Sequence, residues 1–245
     1  MVWQRLEEPN RTPYQTLSVI VPVYNERETL LEIVRRIQNV EIADFGLSKE
    51  ILLIDDASTD GTHDLLPALA SVPAVRVIVH ARNRGKGAAV RSGLKAATGD
   101  VMIVQDADLE YDPRDYARLL RPIMEGRAQV VYGSRFLGEH KAMYFWHQLG
   151  NKALTTVANV LYNTTLTDIE TCYKVCTQEV VKAINLRQNR WGFDPEYTAQ
   201  VLKRGYRIYE VPISYNGREF SEGKKISWRD GFRIIWVLLL QRVTK

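Results

Sequence analysis

The residues best able to do chemistry are the acids in Val104-Gln105-Asp106-Ala107-Asp108-Leu109-Glu110. An apolar segment, 101–104, ends in two carboxylates one residue apart, with a third acid two residues further on. A buried strand that stops in Asp-x-Asp delivers two hard oxygen ligands to one point at a sheet edge. Mg²⁺ and Mn²⁺ prefer such carboxylates, completed by water and substrate phosphate oxygens. The expected chemistry is therefore on a phosphorylated, nucleotide-linked substrate. Taken alone, Asp-x-Asp is a common solvated turn. Two further loops point the same way and tip the balance.

The first is Pro22-Val23-Tyr24-Asn25-Glu26. Proline is tolerated at a strand end but not in a central ladder. Tyr24 can lie on a flat base, and Glu26 can accept hydrogen bonds from a ribose or a base edge, while Asn25 reads as a helix cap. The second is Asp55-Asp56-Ala57-Ser58-Thr59-Asp60-Gly61-Thr62. Two adjacent acids directly after an apolar strand cost solvation unless they have partners. One of them is a candidate acceptor for a base or sugar; Ser58 and Asp60 shape the turn and Gly61 relieves it. A third loop, Asn83-Arg84-Gly85-Lys86-Gly87, is a glycine-bearing basic turn of the kind that exposes backbone N–H groups to anions. Its spacing fits neither the P-loop nor the dinucleotide fingerprint.

These loops need a frame to bring them together. Short apolar runs at 17–23, 51–54, 75–79 and 101–104 alternate with helical patterns at about 26–40, after Gly61, and at about 87–97 and 113–125. Strands apolar on both faces, alternating with helices, indicate a mostly parallel sheet with helices on both faces. In such sheets ligands bind at the carboxyl ends of strands, where loops 22–26, 55–61 and 106–110 fall. The second half predicts a strand at 129–132, a long helix at 144–162 with Leu149, Ala153, Val157 and Val160 on its apolar stripe, a helix at 195–204, a strand at 207–213 and a last helix at 228–243. The expected organisation is an N-terminal extension, 1–15, and one α/β domain, 16–245, divided into a nucleotide-binding half, 16–110, and an acceptor half, 111–245.

The bulk properties bound the answer. The 245 residues suffice for one large domain, and 45% hydrophobic with 25% charged residues is ordinary for a globular protein. Net charge is +4, but the C-terminal end from Lys203 onward carries ten Lys/Arg against four acids. A basic end suits phosphates or anionic lipid; no recognition motif accompanies it, so nucleic acid is not an expected partner. Cys172 and Cys176 are too few for a disulfide framework or a zinc site and read as buried thiols. The longest apolar run, 234–240, has seven residues, far short of the roughly 20 that cross a bilayer.

In order and spacing, Leu17-Ser-Val-Ile-Val-Pro-Val-Tyr-Asn-Glu26, Leu53-Ile-Asp-Asp-Ala-Ser-Thr-Asp-Gly-Thr62, Asn83-Arg-Gly-Lys-Gly87 and Asp106-Ala-Asp-Leu-Glu110 resemble a family 2 glycosyltransferase of the GT-A fold. Within it the chain is most similar to polyprenyl-phosphate (dolichol-phosphate) sugar synthases. Gly133-Ser-Arg-Phe136, Thr167-Asp-Ile-Glu-Thr-Cys-Tyr-Lys174, Phe193-Asp-Pro-Glu196 and Glu210-Val-Pro-Ile213 through Arg218 to Lys225 continue the resemblance.

The resemblance implies that Pro22, Tyr24, Glu26 and Asp56 hold base and ribose, and that Asp106, Asp108 and Glu110 hold Mg²⁺ or Mn²⁺ against the diphosphate. Glu110 stands where relatives often carry Gln. Arg135 would approach the acceptor phosphate, and Arg218 with Lys224 or Lys225 would clamp the donor diphosphate. Some relatives carry a second acceptor arginine; here that region offers Lys141 and His147. The implied activity is inverting transfer of a sugar, mannose from GDP-mannose being favoured, onto a polyprenyl phosphate. UDP-glucose or another donor, a hydroxyl acceptor, and a silent scaffold subunit are the alternatives. A lipid phosphate is already ionised and needs no base, whereas a sugar hydroxyl would.

Processive polysaccharide synthases use Gln-x-x-Arg-Trp, but Gln188-Asn-Arg-Trp191 is one residue too short and reads as a lead-in to Phe193–Glu196. There Asp194 reads either as the cap of a helix from Pro195 or as functional, and Glu196 as buried near the sugar pocket. A lipid acceptor implies a cytoplasmic protein, peripheral at the membrane face or docked on a membrane-anchoring partner. Trp228, Phe232, Ile235, Trp236 and Leu239 share one face of the last helix, which reads first as a core-packing face and second as a membrane-interface face.

Overall fold

The computed structural model describes residues 14–217 and 228–244, so the expected diphosphate ligands Arg218, Lys224 and Lys225 lie outside the described residues. The apolar runs form β1 (Thr16–Val23), β2 (Ser48–Asp55), β3 (Val75–Val79), β4 (Val101–Val104), β5 (Val130–Ser134), β6 (Lys174–Thr177) and β7 (Ile208–Pro212). They join in one sheet in the order β3-β2-β1-β4-β6-β5-β7. β1 to β4 are mutually parallel, as are β5 and β7, while β6 runs antiparallel to both its neighbours. The expected mostly parallel α/β sheet is therefore what forms. β6 was not expected, because four residues containing a lysine carry no strand-length apolar signal. Its direction matters for the site. An antiparallel strand begins at the edge where its parallel neighbours end, so the segment leading into Lys174 joins the loops that follow β1, β2, β4 and β5.

The helices are α1 (Leu30–Asn39), α2 (Leu66–Ala70), α3 (Lys86–Ala96), α4 (Tyr116–Met124), α5 (Phe145–Tyr162), α6 (Gln178–Ala183), α7 (Phe193–Lys203) and α8 (Trp228–Val243). α1 starts later than its sequence pattern suggests, since 26–29 form a turn in which the Glu26 carbonyl accepts from Thr29 N and Leu30 N. The segment after Gly61 is first a 3-10 turn, Thr62–Leu65, and only then α2. α3 packs on β1 and β2, and α4 on β5, β6 and β7. A large apolar core surrounds the sheet, and a smaller one, built on Ala158, Leu166, Ile169, Ala199, Ile234 and Leu238, joins α5, α7 and α8.

Two apolar faces differ from expectation. α5 buries Thr155 and Ala158, with Leu154, Val157 and Leu161 half-buried against the smaller core; Leu149, Ala153 and Val160 of the expected stripe are exposed, Val160 by 78%. On α8 the buried residues are Ile234, Val237 and Leu238, whereas Phe232 and Trp236 are 68% and 65% exposed. The core-packing reading of the Phe232/Trp236 face is thus corrected. The reason is geometric. α5 and α8 rest mainly on α7 and on each other, so each has only a narrow contact to bury, and apolar periodicity does not say which edge of a broad stripe is covered.

α3 reaches the sheet through Gly93. A Cβ there would sit 2.4 Å from Ile20 Cγ2 and 2.8 Å from Ile54 Cδ1. Gly93→Val should therefore destabilise the fold by about 1–3 kcal/mol through overpacking, seen as a lower denaturation midpoint in urea with an unchanged slope; wild-type stability in this variant would contradict the packing described.

Candidate active site

A cavity of about 1210 Å³ opens at the carboxyl edge of the sheet. Pro22, Tyr24, Glu26, Asp56, Asp106, Asp108, Glu110 and Arg135 all line it, so the residues expected to bind donor, metal and acceptor phosphate within the described segments reach the same space. Asp194, whose functional reading was one of two alternatives, lines it as well, as do Lys86, Glu170 and Cys172, to which sequence reasoning gave no site role.

The first two loops are laced to each other. Asp55 is fully buried, and its Oδ1 accepts from Ser58 N at 3.1 Å and Ser58 Oγ at 2.5 Å. Asn25 does not cap α1. It adopts left-handed backbone at φ 57°, and its Oδ1 accepts from Thr59 N at 2.8 Å, which ties the loop after β1 to the loop after β2. Glu26 N donates to Thr62 Oγ1 at 3.0 Å. Asp56 lines the cavity while its carboxylate accepts from Arg84 N at 2.9 Å and Gly85 N at 2.6 Å and pairs with His80 Nδ1 at 2.6 Å. It therefore positions the basic turn 83–87. Non-glycine residues held at positive φ cost of order 1–3 kcal/mol each; three of them among the described residues, Asn25, Ala57 and Leu109, sit in the three loops singled out from the sequence. Strain concentrated there marks loops whose shape serves the site.

Gly85 and Gly87 let that turn approach residues 188–190: an added Cβ would lie 2.5 Å from Asn189 O at Gly85 and 2.6 Å from Gln188 O at Gly87. Arg91 holds the same segment through Gln188 O and Asn189 Oδ1. Glu196, fully buried, accepts from Arg187 N and Gln188 N at 2.8 Å each. It does not line the cavity, so the expectation of Glu196 beside the sugar pocket is replaced by a role in anchoring this loop, which brings Arg190 and Trp191 to the cavity wall. Nor does Asp194 cap a helix from Pro195; α7 begins at Phe193 after Gly192.

The acid loop starts from a buried hub. Gln105 Oε1 accepts from Tyr116 Oη at 2.8 Å and Tyr173 Oη at 2.7 Å. Asp106 Oδ2 accepts from Lys86 Nζ at 2.7 Å, Asp108 Oδ1 accepts from Glu110 N at 3.1 Å, and Glu110 Oε2 accepts from Tyr215 Oη at 2.9 Å. Burial works against the Lys86 ammonium, but Asp106, with further help from Cys172 and Asp194, holds its pKa above the ordinary lysine value. Among the described residues no three His, Cys, Asp or Glu side chains gather as a closed metal cage. Paired carboxylates on an open wall fit Mg²⁺ or Mn²⁺ nevertheless, because these ions commonly take one or two carboxylates and complete their shell with water and substrate phosphate.

On the remaining wall Arg135 is held bidentately by Asp168, Nε to Oδ2 and Nη2 to Oδ1, both at 2.7 Å. Its guanidinium also lies 5.3 Å from the Tyr215 ring centroid. Lys174, 2% exposed, pairs with Asp194 Oδ1 at 2.5 Å. Lys86, Asp168 and Lys174 were missed as functional groups because their partners lie 20 or more residues away. The one usable signal was a lone charge inside an apolar stretch, as in Tyr173-Lys174-Val175-Cys176. Cys172 and Cys176 are free buried thiols, as expected.

A nucleotide-sized cleft at the carboxyl edge of a mostly parallel sheet, with an Asp-x-Asp loop on its wall, defines a nucleotide-sugar-dependent transferase of the GT-A type. Residues 18–184 match Glycosyl transferase family 2, and the chain belongs to that family. It is 33% identical over 214 residues to a dolichol-phosphate mannosyltransferase of Pyrococcus furiosus, covering 85% of this chain and 58% of that protein, so the chain spans a little over half of that relative's length. It is 27% identical over 249 residues to a UDP-N-acetylglucosamine–dolichyl-phosphate N-acetylglucosaminyltransferase of Methanococcus voltae, covering 94% and 97% of the two chains. In fold it is similar to glucosyl-3-phosphoglycerate synthase of Mycobacterium tuberculosis, solved with Mn²⁺, UDP and phosphoglyceric acid, at a TM-score of 0.71 and 19% identity, covering 94% of this chain and 80% of that one.

Because Arg135 and Asp168 are buried against each other, removing one partner strands the other. Asp168→Ala should cost about 3–5 kcal/mol of stability. In a double-mutant cycle measured by chemical denaturation, adding Arg135→Met should recover part of that loss; strictly additive losses would contradict the pairing.

Proposed function

We propose that this protein is an inverting, metal-dependent transferase that moves a sugar from a nucleoside diphosphate sugar, GDP-mannose being favoured, onto a polyprenyl or dolichyl phosphate at the cytoplasmic face of a membrane, a dolichyl-phosphate β-mannosyltransferase-like activity. The observation that carries this reading is that the carboxylates of Asp106 and Asp108 share one cavity with Arg135 and with an aromatic rim. The named activity of the Pyrococcus relative supports the acceptor class and the favoured sugar. The Methanococcus relative keeps UDP-N-acetylglucosamine in the panel of donors to be tried.

In this reading Pro22, Tyr24 and Glu26 bind base and ribose, and Asp56 contributes by fixing the 83–87 turn. Asp106 and Asp108, with Glu110 as the third acid of the same loop, would hold the cation, which when bound would neutralise charge growing on the departing diphosphate. Lys86 adds a fixed positive charge beside Asp106. Arg218, Lys224 and Lys225 complete the diphosphate clamp. Arg135, kept oriented by Asp168, receives the acceptor phosphate. Two anions must approach each other here, and cations fixed in advance stabilise that arrangement most where charge builds up in the transition state. Attack by an ionised phosphate oxygen gives a single displacement with no covalent enzyme intermediate.

Membrane attachment is supported by the rim. Tyr144, Trp146 and Phe232 line the cavity and are also 52%, 76% and 68% exposed. Exposed Lys141, Lys152 and Arg233 lie beside them in sequence. An aromatic surface mixed with cations suits the headgroup region of an anionic bilayer, and no helix among the described residues is long and apolar enough to cross one.

Asp108→Ala should abolish transfer in an assay of a donor panel with short polyprenyl phosphate, and chelator should do the same to the wild type until Mn²⁺ or Mg²⁺ is restored. Full activity in chelator would refute the metal role, and silence with every donor would refute the transferase reading. In flotation, the protein should rise with anionic vesicles and Trp146→Glu/Trp236→Glu should stay at the bottom; equal flotation of both would reject the aromatic rim as the docking surface.

A further inference from the structure

Glu170 has no place in the scheme above. Its side chain lines the cavity, and its Oε1 is shielded from solvent without a hydrogen-bond partner. A buried polar atom left unsatisfied loses its hydration without compensation, and in a binding cleft such an atom is available to a ligand. The charged groups whose fields act on it are Asp194 from α7, Lys174 from β6, Arg135 from the segment after β5 and Asp168 from its own loop. Lys141 and His147 line the same cavity, as do Asp106, Asp108 and Glu110.

The charges nearby are already matched. Arg135 pairs with Asp168, Lys174 with Asp194, and Lys86 with Asp106. No cation of these three is left over for a fourth carboxylate, and a charge buried without a counter-ion is strongly disfavoured. Burial, with Asp194 adding like-charge repulsion, pushes the Glu170 carboxyl up to about 8 despite the opposing pull of Lys174 and Arg135. At neutral pH Glu170 is accordingly a carboxylic acid with a proton to give to a hydrogen bond.

We propose that Glu170 is an acceptor-specificity residue, a neutral carboxyl that donates a hydrogen bond to a phosphate oxygen of the incoming lipid beside Arg135. A carboxylate in its place would repel the phosphate. The inference rests on the proposed polyprenyl-phosphate acceptor and deepens it. It also separates that acceptor from a hydroxyl, for which the same residue would have to work ionised, as a base.

The test is the pH dependence of the acceptor KM, measured with a short polyprenyl phosphate for wild type and Glu170→Gln, an isostere that keeps a neutral N–H donor. In the wild type the acceptor KM should climb above pH 8, approaching about tenfold per pH unit for one titrating proton, with the donor KM flat. Whatever its value at pH 7, the acceptor KM of Glu170→Gln should stay flat to pH 9.5. Parallel profiles overturn the inference, as does a variant that loses kcat with its acceptor KM unchanged. The wild type alone supplies a second measurement should the variant fold poorly. Polyprenyl phosphate should raise its melting temperature at pH 7 and not at pH 9.5, and equal protection at both overturns the inference. Neither transfer to nor protection by polyprenyl phosphate at any pH overturns the proposed acceptor class together with this residue's role; transfer with parallel profiles overturns the role alone.

Discussion

Charge matching at the carboxyl edge of the sheet is the constraint on which the rest of this structure depends. Three cations and three carboxylates, Lys86 with Asp106, Arg135 with Asp168 and Lys174 with Asp194, meet at one edge of the sheet. None of these ions is cheap to hold away from water, and each is tolerated because a partner stands within hydrogen-bond distance. Matching of this kind leaves these six groups without net charge. It also bears on why a fourth acid among them, Glu170, holds its proton: each of these three cations is already paired with another carboxylate.

The backbone is arranged to serve that cleft. Parallel strands end where loops can converge, and β6, inserted in the opposite direction, adds the segment from Asp168 to Lys174 to the same edge. Side chains then stitch loop to loop. Asn25 joins the first to the second, Asp56 joins the second to the basic turn, and Glu196 with Arg91 secures the segment that faces that turn. The cost is visible as left-handed backbone at Asn25, Ala57 and Leu109. Some residues that read as ligands therefore work partly by shaping others. Asp56 is the clearest case, with a carboxylate on the cavity wall whose visible bonds go to Arg84, Gly85 and His80.

Much of this was legible before any coordinates. The first four strands announce themselves because they are buried on both faces and so are apolar without interruption, and the loops after three of them carry polar residues too costly to place there without a purpose. The faces of α5 and α8 were not legible. Their apolar residues outnumber the positions the small helical core can cover, so periodicity alone picked Leu149 and Val160 for burial where Thr155 and Ala158 are the buried pair. β6 was invisible for the opposite reason, being short and carrying a charge that only a distant aspartate makes acceptable.

The amino-acid sequence by itself determined the class of fold, the order of strands and helices in the first half, and the identity of the acids, aromatics and arginine that meet in the cleft, because these follow from local hydrophobicity and from residue type. Only the tertiary structure decided which charge pairs with which, which faces of the last helices remain outside, and that Glu170 stands among filled ion pairs. Those are properties of residues far apart in the chain, and local periodicity holds no information about the partner that folding brings across the sheet.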